Sequence, residues 1–294
     1  DVYKRQPPDD RRLELLLADA LPEVRAQAVF VIGVNGYKTA LPFVVPLLRD
    51  EDAFVRRRVC ETLVRCDAAP PLPALWPLLG DPDRFVRTSA RLCLQRMPAK
   101  EWTKRLWTEE NDLIFDEGVV ALCESDQAAP YEELIFDHLH RGVPEDAESQ
   151  LQYLRTLQLA LLHTPADKRP GSVRGIALEC EDLFPAKDYR VGREAALLLA
   201  YFRHDNTLAA QDGATTKVVQ ALLDAKLGGG DRPQQIHYFY CLRFLPDLTP
   251  AEKKSVADWY EGTRDWKGGN SFSGFLANIF TDVLAAYDTA DRKA

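Results

Sequence analysis

LLRDEDAFVRRRVC, residues 47–60, has a close copy on each side of it. Thirty-one positions earlier stands LLADALPEVRAQAV, residues 16–29, and thirty-one positions later LLGDPDRFVRTSAR, residues 78–91. Each copy carries Leu-Leu-x-Asp, ending at Asp19, Asp50 and Asp81. Val-Arg begins five residues on, as Val24-Arg25, Val55-Arg56 and Val86-Arg87. A small apolar residue follows four residues after each valine, at Ala28, Val59 and Ala90. Upstream, Leu41-Pro42 and Pro46 recur as Leu72-Pro73 and Pro77. A fixed period of this size means stacked supersecondary units.

Each unit reads as two helices. The second places Val24, Ala28, Val31 and Ile32 on one face at helical spacing, with counterparts Val55, Val59, Thr62, Leu63 and Val86, Ala90, Cys93, Leu94. Asp52 and Asp83 stand where an N-cap accepts orphan backbone N–H groups. The first unit has Leu21 there, followed by Pro22, which suits the first helical position. The first helix of each pair should be short and bent, because Pro46 and Pro77 remove an N–H and crowd the preceding turn.

The Leu-Leu-x-Asp turn followed by Val-Arg resembles the HEAT repeat across Leu13–Met97. The resemblance implies an all-α fold, a right-handed α-α superhelix of the HEAT/armadillo-like solenoid kind. It also implies structural roles for Arg25, Arg56 and Arg87, which would pair with the turn aspartates Asp19, Asp50 and Asp81 of neighbouring units. A fourth copy is expected at the same offset, with Trp107 for Trp76, Asp112 for Asp81 and Ala121 for Ala90, although Glu117-Gly118 stands where Val-Arg belongs. Three segments follow from this reading: a tail at 1–9, HEAT repeats at 10–125, and a degenerate helical continuation of the same solenoid at 126–294. In the last, helices are expected at Asp146–Thr164, Val173–Leu183, Arg190–His204, Lys217–Lys226, Pro233–Leu245, Pro250–Glu261 and Ser271–Tyr287. Pro, Gly and Asp clusters separate them.

The chain has 294 residues and a net charge of −8. Residues 1–100 hold 16 Lys and Arg against 13 Asp and Glu, so the acidity belongs to the remainder. An acidic chain gains little from counterion release, which disfavours nucleic-acid binding. No apolar run approaches the roughly 18 residues a membrane helix needs. The six cysteines form no CxxC pair and sit among Leu, Val and Ala, so they read as buried free thiols. Asp1–Gln6, DVYKRQ, resembles a translated adaptor scar, which would make the chain a fragment continuing upstream.

No catalytic, cofactor or metal site is expected. His138 and His140 are two apart, and on a helix they diverge. Gly268-Gly269-Asn270-Ser271 lacks the lysine of a phosphate loop and reads as a helix cap above Phe272 and Phe275. Tyr238, Phe239, Tyr240 and Phe244 crowd one helix, as a helix buried between neighbours does. Arg57 and Arg58, which lie off the repeat register, and Arg91 are the candidates for binding a partner.

Leu154–Leu162 (LRTLQLALL), Leu183–Ala186 (LFPA), Gln235–Leu245 (QIHYFYCLRFL) and Gly268–Ile279 (GGNSFSGFLANI) resemble the helical region of planctomycete-type multidomain haem-binding proteins. There a propeller, HEAT repeats and a cytochrome c domain follow one another. The chain has no CxxCH, so no haem attaches here. The resemblance implies a non-catalytic scaffold, the connecting solenoid of a redox protein, with adjacent propeller and cytochrome c domains or other proteins as partners. It places the protein in the periplasm, whereas unpaired cysteines suit the cytoplasm. The alternative is a HEAT-like nucleic-acid-binding or DNA-repair protein. The apolar stripe Leu13, Leu16, Leu17 has no repeat before it, so the chain is expected to associate or fray at this end.

Overall fold

Side chains cap the second helices as the turn chemistry requires. Asp52 accepts the Val55 N–H at 3.1 Å, Asp83 accepts the Phe85 and Val86 N–H groups at 2.7 and 3.3 Å, and Leu21 offers no side-chain cap. The computed structural model describes residues 10–224 and 231–285. The 1–9 tail and the expected helix ends at Lys226 and Tyr287 lie outside the described residues. Two compact units are present, Asp1–Tyr131 and Glu132–Ala294. Among the described residues there are helices, turns and loops and no strand, so the fold is all-α.

The first unit runs α1 Asp10–Leu17, α2 Pro22–Asn35, α3 Leu41–Val44, α4 Ala53–Arg65, α5 Leu72–Leu75, α6 Arg84–Gln95, α7 Thr103–Leu106 and α8 Asp112–Glu124. The second helices α2, α4, α6 and α8 pack in succession, each on the next. The prolines act where expected but change the helix type. Each short α-helix passes into a 3-10 turn, Val45–Arg49 or Trp76–Gly80, one residue before Pro46 or Pro77. The tighter 3-10 ladder is the usual form of so short a helical piece.

Val55, Val59 and Leu63 on α4, and Val86, Ala90 and Leu94 on α6, are each at most 1% exposed. Burying one such Val or Leu contributes about 1.5–3 kcal/mol, so this seam holds the stack. Two polar rungs repeat inside it at the sequence period. Thr62 Oγ1 donates to the Val29 carbonyl at 2.9 Å, and Cys93 Sγ to the Cys60 carbonyl at 3.4 Å. Gly33 lets α2 approach α4 closely, since a Cβ there would sit 2.6 Å from Thr62 Oγ1 and 3.1 Å from its Cα.

Leu13 and Leu17 are 2% and 4% exposed, packed toward α2, and only Leu16 of the stripe is open, at 43%. The fourth unit does not keep the 31-residue offset. Asn111 caps α8 through the Ile114 N–H at 3.2 Å, 28 positions after the Asp83 cap. The turn carboxylate is therefore Glu109, which accepts the Asn111 N–H at 3.0 Å, and Asp112 falls inside the first helical turn. Phe115 takes the place that the arginine of Val-Arg would hold, and it is buried.

The second unit comprises α9 Glu132–Leu139, α10 Ala147–His163, α11 Ser172–Leu183, α12 Tyr189–His204, α13 Ala214–Leu223, α14 Arg232–Cys241, α15 Pro250–Glu261 and α16 Phe272–Ala285. Helix α9 was not expected from sequence. Neighbours α9 and α10, α11 and α12, and α13 and α14 form pairs, while α10, α12, α14 and α16 pack in succession. Packed helical hairpins thus also build this unit, where the sequence period is lost. Asp146, Asp188 and Asp231 cap α10, α12 and α14, and Thr249 with Glu252 forms a capping box on α15. On α14, Phe239 is fully buried, its ring 4.8 Å from that of Trp259, while Tyr240 and Phe244, the latter in the 3-10 turn Leu242–Phe244 that follows, sit nearer the surface. Phe272, the first residue of α16, lies against Gly268, where an added Cβ would sit 2.4 Å from its ring, whereas Phe275 is 48% exposed.

Candidate protein-interaction surface

The arginines of the Val-Arg pairs are fixed in place. Arg25 donates from Nε and Nη2 to Asp50 at 2.8 and 2.7 Å, and from Nη1 to the Asp19 carbonyl at 2.9 Å. Arg56 repeats this on Asp81 at 2.8 Å and on the Asp50 and Glu51 carbonyls at 2.9 Å. Burial pushes the Asp50 carboxyl up, but the Arg25 hydrogen bonds and the Asp52 N–H outweigh it and hold it below the usual carboxylate range. Arg87 keeps its turn carbonyls, Asp81 and Pro82, but in place of a turn aspartate it meets Glu117 at 3.6 Å. Such multiply bonded arginines, Arg25 buried and Arg56 and Arg87 half-buried, tie units together and are not free to bind.

Arg57 and Arg58 lie on α4 one step off that ladder. Arg57 Nε and Arg58 Nη1 each donate to the Glu61 carboxylate at 2.7 Å. Burial raises that carboxyl, and the two arginine hydrogen bonds overcome it, leaving Glu61 below its ordinary value. Both guanidiniums also cover aromatic rings. Arg58 sits 4.8 Å from the Phe54 ring centre and 4.9 Å from that of Phe30, and Arg57 sits 5.1 Å from that of Phe85. Arg84 and Arg65 add further contacts, to Phe85 at 4.8 Å and to Phe30 at 5.3 Å. Arg91 is not part of this cluster's pairing; it reaches Glu117 on α8 at 2.6 Å.

The surface so formed spans the second helices of the first three units. Phe54 and Phe85 are the second residues of α4 and α6, 31 positions apart, and are 44% and 48% exposed. Four arginines surround three phenylalanines, with Glu61 fixing the central two. Cation–π stacking holds the guanidiniums over the rings at a gain of about 0.5–1 kcal/mol each at exposed sites. Flat aromatic and arginine side chains held in one conformation are what protein interfaces enrich at their energetic centres. The recurrence of Phe54 as Phe85 is visible in the sequence, but nothing in the repeat pattern marks either ring as exposed.

Other features offer less chemistry. A hollow of about 580 Å³ between α10 and α12 is lined mainly by Leu159, Leu162, Leu197, Leu198 and Tyr201. Its one buried charge, Arg169, is committed to Asp205 at 2.5 Å and to the Thr164 and Leu161 carbonyls. His140 Nδ1 lies 3.7 Å from Glu179, and among the described residues no group of three His, Cys, Asp or Glu side chains converges as a metal would require. All six cysteines are free and buried, and burial pushes the Cys123, Cys180 and Cys241 thiols up to about 12. No helix among the described residues is long and apolar enough to cross a membrane.

Residues 10–95 match the family of HEAT repeats. An engineered protein solved by the Northeast Structural Genomics Consortium is similar in structure, with a TM-score of 0.48 and 16% identity over 95% of this chain and 82% of that one. Human deoxyhypusine hydroxylase in complex with glycerol is similar at a TM-score of 0.34 and 12% identity, over 95% of each chain. No curated protein is matched.

Proposed function

We propose that this chain is a non-catalytic protein-interaction module whose HEAT repeats display the Phe54–Phe85 surface to an acidic, partly apolar partner. The observation that carries the reading is the pair of exposed phenylalanines at the repeat spacing, each lying under a guanidinium. Solvent-exposed aromatic rings gain little for the stack itself, since the seam is filled by Val55, Val59, Val86 and Ala90. Arginine and phenylalanine together provide apolar area and fixed positive charge, which complements a surface carrying carboxylates between apolar side chains.

Paired affinity captures test it. The whole chain and its Phe54→Ser/Phe85→Ser variant are used as baits, with circular dichroism showing equal helicity. Polypeptides retained by the first and lost by the second support the reading. Identical retention by both baits removes the surface from the account.

The finer reading is a connecting solenoid between a propeller and a cytochrome c domain in a periplasmic redox protein. Its support is the resemblance of the LRTLQLALL, LFPA, QIHYFYCLRFL and GGNSFSGFLANI segments. The residues present do not fit a covalent haem, so electron transfer would belong to neighbouring domains. Reading the gene on both sides tests this, and a CxxCH downstream is the expected outcome.

A further inference from the structure

We propose that the α1–α2 end of the first unit is a docking surface for one more helical hairpin of the same repeat, whose second helix supplies an arginine to Asp19. Two independent features of this end describe that occupant.

The first is an incomplete turn. Asp50 and Asp81 each do two things. One oxygen accepts the N–H two residues on, from Asp52 and Asp83, both at 2.9 Å, and the carboxylate also receives the guanidinium of the preceding unit. Asp19 does the first, accepting the Leu21 N–H at 2.9 Å. Among the described residues no guanidinium reaches it.

The second is the matching apolar face. Val55 and Val86 are fully buried in a stack where α2 lies on α4 and α4 on α6. Val24, their equivalent, is only half-buried, and it borders a hollow of about 330 Å³ lined by Leu13, Leu16, Ala28 and Val31, with Glu23 and Gln27 at its polar side. The open face of α2 therefore repeats the faces that α4 and α6 present to the helix before them. An aliphatic helix with an arginine at the Arg25 position satisfies the hollow and the carboxylate together. A second copy of this chain meeting α2 on α2 would fill the hollow but set one Asp19 toward another.

The test adds the occupant. A copy of residues 36–66 placed directly ahead of Arg5 keeps the 31-residue register and puts the copied Arg56 opposite Asp19. The expected result is a higher Tm and amide exchange at Val24–Ala28 slowed by at least about tenfold. Asp19→Ala in the fusion and Arg56→Ala in the added copy should each remove part of the gain, and the double variant no more than either alone. An added hairpin that leaves exchange at Val24 unchanged overturns the proposal, as do additive losses in the two variants. Two other occupants are read in the parent chain. Dimerisation that protects Val24 would assign the face to a second copy. Faster exchange at Val24 on deleting residues 1–9 would assign it to the tail. Either overturns the proposal.

Discussion

Arg56 on α4 holds Asp81 of the following unit through Nε at 2.8 Å and Nη2 at 2.7 Å, with the two side chains 15% and 5% exposed. Its third nitrogen binds the Asp50 and Glu51 carbonyls of its own turn. One planar group thus joins two turns and a helix, which a flexible ammonium cannot span.

Arg56→Ala should lower the unfolding free energy by roughly 3 kcal/mol, because it strands the buried Asp81 carboxylate as well as removing the donors. Arg56→Lys should recover only a minor part. Urea unfolding followed by circular dichroism checks both; a loss no larger than for Lys254→Ala, whose pair with Asp258 is 75% and 65% exposed, would contradict the role.

Acid should weaken the stack through Asp50. Its carboxyl is held below the usual range in the folded chain, so the unfolded state, near about 3.9, takes up a proton first. The stability it contributes is present above about pH 4 and lost as pH falls through the folded value. Asp50→Asn should lower Tm at neutral pH and flatten its decline on acidification. Parallel acid declines in parent and variant would show that Asp50 does not carry the effect.

Glycine substitutions should separate close approach from helix propensity. Gly33→Ala meets Thr62 backbone and should destabilise by about 1–3 kcal/mol. Gly274→Ala, inside α16 with nothing within 4 Å of the added carbon, should stabilise by about 0.5–1 kcal/mol. Opposite signs in thermal melts are the expected outcome.

The six thiols should be silent toward an aromatic disulfide reagent in the folded chain and all titrate in denaturant, since each is buried and three are pushed to about 12. Rapid native labelling of Cys60 or Cys93, which lie in the seam between α4 and α6, would mean the stack opens there.

The first three units were legible because equivalent faces must meet equivalent faces, so the Val, Arg and Asp positions repeat as one set. The fourth was misread because α8 begins three residues early, which replaces the arginine by Phe115 and leaves Arg87 and Arg91 to share Glu117. In the second unit arginine–aspartate links return as Arg169–Asp205 and Arg203–Asp247, but they are 36 and 44 residues apart, and no constant offset exposes them. Arg57 and Arg58 stand out in the sequence because they lie off the repeat register, whereas no spacing there marks Phe30, Phe54 and Phe85 as the rings they cover.

Excising residues 36–66 tests most directly whether the 31-residue hairpin is the building block. The shortened chain should unfold cooperatively in urea with the parent's helicity per residue, Arg25 now holding Asp81, whereas an excision of residues 36–63 should not. Equal collapse of both chains would contradict interchangeable units joined through repeated arginine–aspartate contacts.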